Sequence, residues 1–269
     1  YAPRSVGNDH YISTRLLDKE TAVKTTQTAA ETFFGTNVVG FDVPDGVRLD
    51  YAATTNTSAT TLIHWMFKRA PGFFDVVCYT GTGSATTQAH NLGVVPELMI
   101  IKERSATNDW WVYDSTDGNT KYSVLNSTAV PVTSSTAWNN TTPTSSVFSI
   151  GTGANVNDSN QTYVAYLFAT LAGISKVGSY TGNGSSQTIN CGFAAGARFI
   201  LIKRTDSTGD WYVWDSARGI VAGNDPHLSL NTTAAEVTTD DSIDPDSTGF
   251  IVNQLAATNI NVNAATYIY

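Results

Sequence analysis

Charge is what this sequence has least of. Only 14% of its 269 residues are Asp, Glu, Lys or Arg, against about a quarter in an ordinary globular chain. The few charges sum to −8. An acidic surface repels a phosphate backbone, so a nucleic-acid partner is excluded. Two cysteines, Cys78 and Cys191, are too few for a disulfide scaffold, and both read as small buried hydrophobes. The longest apolar run, Val164 to Ile174, is interrupted by Thr170 and is far too short to span a bilayer, so no membrane insertion is expected. The histidines His10, His64, His90 and His227 never stand at metal-ligand spacing, and no Gly-x-Ser-x-Gly elbow is present. No catalytic residue, metal or cofactor is expected.

Thr, Ser, Asn and Gly fill the place of the missing charges. Thr suits a pleated surface, and Asn and Gly suit turns, so the composition is that of β-sheets joined by hydrogen-bonded turns. Self-similarity then sets the organisation. Tyr79-Thr80-Gly81-Thr82-Gly83 returns as Tyr180-Thr181-Gly182-Asn183-Gly184. Ile100-Ile101-Lys102 returns as Leu201-Ile202-Lys203, and Asp109-Trp110-Trp111-Val112-Tyr113-Asp114 as Asp210-Trp211-Tyr212-Val213-Trp214-Asp215. Thr61 to Phe67 has the same spacing from Thr162 to Phe168. The period is about a hundred residues.

The expected domains are a partial module over 1–70, a complete one over 71–172 and a nearly complete one over 173–269. The first is expected to lack both the Tyr-Thr-Gly-x-Gly strand and the Trp strand. Gly7 to His10 is matched to Gly223–His227. On that reading the chain is the C-terminal part of a longer one, and the first module exposes unpaired edges and the apolar sides of Ile63 and Trp65.

The elements read as strands of about six residues separated by turn residues, which predicts an all-β fold of tandem β-sandwich, jelly-roll-like modules. One helix is a candidate, Asp18 to Phe34, on its Ala, Lys, Glu and Gln content.

The aromatic strands carry the candidate site. Alternation puts Trp110 with Val112 on one face and Trp111 with Tyr113 on the other; Tyr212 and Trp214 correspond to the second pair. One face belongs to the module's own core, and the other is open to a neighbouring module, another protomer or a ligand. Trp111, Tyr113, Tyr212 and Trp214 are the candidate ligand-binding or interface aromatics, with a glycan as the ligand that flat rings would stack on. An acidic stretch, Asp240 to Asp246, has alternating carboxylates but not the register of a calcium loop.

These blocks, with Asn91-Leu92-Gly93-Val94-Val95-Pro96 and Asp215-Ser216-Ala217-Arg218-Gly219, resemble a repeat of virion proteins from tailed, particularly marine, bacteriophages. The resemblance implies a structural, non-enzymatic protein of the virion exterior. Most simply that is a tail-fibre or adhesin segment for host attachment. It would be a homotrimer that contacts other tail or capsid proteins and, through its aromatics, a host-surface glycan. The alternatives are a carbohydrate-binding or polysaccharide-depolymerising tailspike module and a capsid-surface decoration protein.

Overall fold

The computed structural model describes residues 1–17, 20–34, 40–41, 46–49 and 58–269. Strands dominate it. The first module holds β1 (Ala2–Pro3), β2 (Tyr11–Ile12), β3 (Thr21–Lys24), β4 (Thr32–Phe33) and β5 (Leu62–Ile63). The second holds β6 (Phe74–Thr80), β7 (Thr86–Ala89), β8 (Leu98–Glu103), β9 (Trp111–Asp114), β10 (Lys121–Val124) and β11 (Val132–Thr133), then α1 (Ser135–Trp138), β12 (Val147–Ile150), α2 (Ala154–Asn157) and β13 (Thr162–Phe168). The third holds β14 (Ser179–Thr181), β15 (Gln187–Asn190), β16 (Phe199–Arg204), β17 (Trp211–Asp215), β18 (Leu228–Ser229), β19 (Ile243–Asp246), β20 (Gly249–Val252) and β21 (Thr266–Ile268).

The second module is a sandwich. Its large antiparallel sheet runs β11-β10-β9-β8-β13-β6, and a small sheet, β12-β7, covers one face. Met99, Ile101, Trp111, Tyr113 and Tyr163 from the large sheet pack on Phe148 and Ile150 from the small one, with Trp138 of α1 and Val156 of α2 closing the sides. The third module repeats this plan with sheets β14-β21-β16-β17-β18 and β15-β20-β19 and its own core around Tyr180, Ile202, Trp214, Phe250 and Tyr267. Strand alternation accounts for both cores, since every second residue of a strand faces the same side.

The first module departs from two expectations. Residues 20–34 contain no helix; β3 and β4 pair there instead, while Asp18 and Lys19 lie outside the described residues. Helix propensity is a weak prior, and here the β-branched Val23 pairs with Ile12 and the β-branched Thr21 with Phe33. The module also has a counterpart of the Trp strand. Tyr1 and Tyr11 exchange backbone hydrogen bonds of 2.7 and 3.0 Å, where the second module pairs Ile101 with Trp111. Thr25 N–H donates to His10 O as Leu125 N–H does to Trp110 O and Leu230 N–H to Trp211 O. His10 thus stands where the other modules have Trp110 and Trp211, and its match to His227 is a misalignment.

The three modules close on one another. Residues of all three meet in one apolar cluster: Leu17 and Val23 of the first, Val76, Ile100, Trp110, Val112, Leu125, Val164 and Tyr166 of the second, Trp211 and Ile268 of the third. The large sheet of the second module is therefore buried on both faces.

Candidate functional site: the module joints

Each joint is built by the outward face of an aromatic strand. Trp110, fully buried, donates its indole N–H to the carbonyl of Lys24 at 2.8 Å. Trp211 donates to the carbonyl of Val124 at 2.9 Å. Beside each indole a lysine enters the neighbouring turn. Lys102 Nζ donates to Thr28 O at 3.1 Å and Glu103 O at 2.7 Å; Lys203 Nζ donates to Thr128 O at 2.9 Å and Gly209 O at 2.6 Å. The backbone N–H groups of Asn108 and Gly209 reach the same two threonine carbonyls, each at 3.0 Å. Lys24 and Thr28 precede Val124 and Thr128 by one repeat, so the two joints are one contact made twice.

Burial costs the lysine charge its hydration, and both ammonium groups are pushed down to about 8. They are still mainly protonated at neutral pH, and backbone carbonyls solvate them. An Asn-Asp clasp steadies each strand from within: Asn126 accepts from Trp110 N–H and donates to Asp109, and Asn231 does the same for Trp211 and Asp210.

The third joint, between the first and third modules, uses equivalent positions with different chemistry. His10 and Ala2 replace the tryptophan and the lysine. Gly7 lies so close to Thr233 that a methyl group there would sit 2.9 Å from its carbonyl. Thr25 Oγ1 donates to Leu230 O at 2.8 Å. Arg4 pairs with Glu236, and Glu236 N–H donates back to Arg4 O at 2.9 Å. This mirrors Arg104 with Glu31 across the first joint, where Glu31 N–H donates to Arg104 O at 2.7 Å. Arg218, with a fully buried side chain, binds Asp215 and Glu236 together, and Trp65 donates to Asp215 at 2.9 Å. Arg218 and these hydrogen bonds hold the Asp215 carboxyl below the usual range against its burial, which pushes the other way. Trp65, expected to be exposed, instead packs edge-on against Phe199.

The aromatics singled out from sequence lie on the other face. Trp111 stacks on Tyr122 with centroids 3.9 Å apart, and Tyr113 meets Trp138 edge-on at 5.8 Å. Trp214 packs beside Tyr212 and His227. Trp111, Tyr113 and Trp214 are buried in their own module's core and Tyr212 is half-buried, so the buried rings offer no face to a sugar. Sequence alternation found both faces but not which one met a neighbour. Lys102 and Lys203 were visible as a repeated pair inside apolar strands, and that oddity was the available signal for a joint.

Other candidate groups have local partners. Asp241 and Asp244 both accept from Asn253, and Asp246 accepts from Thr248, so these carboxylates are held by residues in and around β19. His90 contacts Thr144 O at 3.1 Å. Cys78 and Cys191 are both free. Among the described residues no group of three or more His, Cys, Asp or Glu is placed to hold a metal, and no helix is long and apolar enough to cross a membrane.

Residues 4–269 match the family described as Domain of unknown function (DUF7483), and the chain belongs to that family. No curated protein and no solved structure matches it.

Proposed function

We propose that this chain is a structural, non-enzymatic component of a tailed-bacteriophage virion, a tail-fibre or adhesin segment on the exposed exterior. The support is the resemblance of its repeat to virion proteins, together with one observation. The chemistry of the buried polar side chains at the joints is spent on holding modules together: lysines on carbonyls, arginines on carboxylates, indoles on backbone. A unit whose modules are tied to one another in this way suits a spacer in contact with other virion proteins and a host surface.

The homotrimer that the resemblance implies remains part of this proposal; the outward aromatic faces do not add to it, because neighbouring modules of the same chain cover them. Labelling purified virions with an antibody to this chain tests the reading. Label on the tail or another exterior surface is expected. Absence from the virion, or label reached only after the capsid is opened, overturns it.

A further inference from the structure

We propose that the closed set of three modules opens at one place, the joint between the second and third, while both joints of the first module stay closed. The three joints are built at equivalent positions but differ at their rims. At the first joint Glu31 N–H donates to Arg104 O at 2.7 Å, and Arg104 Nε donates to the Glu31 carboxylate at 2.7 Å. At the third, Glu236 N–H donates to Arg4 O at 2.9 Å, and Arg4 holds the Glu236 carboxylate through Nε and Nη2, each at 2.9 Å. Each of these rims carries a backbone bond and a charge-assisted side-chain pair on the same two residues.

The joint between the second and third modules has neither. Thr28, Thr128 and Thr233 hold equivalent places in their turns, and three residues on stand Glu31, Pro131 and Glu236. Proline has no N–H to donate. The arginine is replaced as well: Arg4, Arg104 and Thr205 stand two residues after Ala2, Lys102 and Lys203. Thr205 Oγ1 bonds to Thr266 of its own module. Val130 and Val132, on either side of Pro131, are exposed. Among the described residues no ion pair joins the second module to the third. The polar contacts between their faces converge on two carbonyls: the Trp211 indole on Val124 O, and Lys203 Nζ with Gly209 N–H on Thr128 O.

The connecting chain is looser there too. Between the first and second modules Ala70 and Phe74 close a turn, and the rings of Phe73 and Phe74 lie 6.4 and 5.7 Å from that of Phe67. Between the second and third, Leu171 and Ser175 close the same turn. Ile174 and Ser175 replace the two rings, and Ile174 is 63% exposed. A region with fewer buried apolar contacts and fewer cross-links opens at lower free energy. Opening here bares Trp211, Lys203 and the carbonyls of Val124 and Thr128, with the first module as the pivot that keeps hold of both neighbours.

Hydrogen exchange of the 269-residue chain under native conditions, followed at single backbone and indole N–H groups, tests this. The N–H groups of Asn108 and Gly209 are equivalent, each 3.0 Å from a threonine carbonyl, so their exchange, corrected for local sequence, compares the two joints directly. Gly209 and the Trp211 indole are expected to exchange about tenfold faster than Asn108 and the Trp110 indole, in one shared opening. Pro131→Glu with Thr205→Arg installs the missing rim. It is expected to slow Gly209 and the Trp211 indole to the rates of their counterparts and to leave those counterparts unchanged. Arg104→Thr is expected to speed Asn108 and not Gly209. Exchange at Gly209 that equals or lags Asn108 in the wild-type chain overturns the proposal, and so does a folded double variant whose Gly209 is no slower. If the double variant does not fold, the wild-type comparison decides.

Discussion

Trp110 of the second module donates its indole N–H to the backbone carbonyl of Lys24 in the first, 2.8 Å away and out of reach of water. One repeat later Trp211 meets Val124 in the same way. The contact is directional: the second and third modules each send an indole N–H back to a strand-end carbonyl of the module before. Contacts of this kind form open filaments unless the rotation closes. Here the first module returns to the third through Arg4 and Glu236.

Substituting the indole separates its two roles. Trp110→Phe keeps an aromatic ring but strands the Lys24 carbonyl, at a cost of about 1–3 kcal/mol. Trp110→Ala also leaves a cavity and is expected to cost about 3–5 kcal/mol. Trp211→Phe and Trp211→Ala should behave alike, because the two joints share one geometry. Guanidinium unfolding measures all four.

The buried lysines predict an alkaline effect. Their folded-state pKa, about 8, lies below the unfolded 10.5, by desolvation. The unfolded chain binds more protons between those values, so stability rises as pH rises through that window. Lys102→Met and Lys203→Met should be more stable relative to wild type at pH 7 than at pH 10. Thermal melts across pH 7 to 10 that run parallel for variants and wild type contradict this.

Acid acts on the first module. Burial lowers both His10 and His64 to about 4 from 6.5. Protonation in the unfolded state therefore removes stability as pH falls from 6.5 towards 4. Neither ring nitrogen of His10 has a hydrogen-bond partner among the described residues, so His10→Leu leaves no group unpaired. It is expected to lose less stability than wild type over that interval, read from urea midpoints at pH 6.5 and 4.5.

Arg218 is the cation on which Asp215 and Glu236 converge. Arg218→Leu leaves two buried carboxylates short of their counter-charge and should cost about 3–5 kcal/mol. The loss should appear first as faster hydrogen exchange at the third joint, around Gly7 and Thr233, with the joint of Trp110 still protected.

Much of the architecture was legible in the sequence because strand alternation and turn residues are local properties. The all-β class and the two faces of the Trp strands followed from residues within a few positions of each other, and the period of about a hundred from the return of whole blocks along the sequence. Only the tertiary structure decided which face was core and which was joint, since alternation makes both apolar and the choice depends on what the third dimension brings opposite. It also decided the fate of residues 20–34, where pairing with Tyr11–Ile12 overrides helix propensity. The kinship of His10 with Trp110 and Trp211 was hidden for a related reason. No side-chain likeness survives there, and the equivalence lives in backbone hydrogen bonds from Thr25, Leu125 and Leu230 that residue identity does not encode. The closing of three modules within one chain was likewise decided at distance: Arg4 and Glu236 are 232 residues apart, and nothing short of the folded chain places them together.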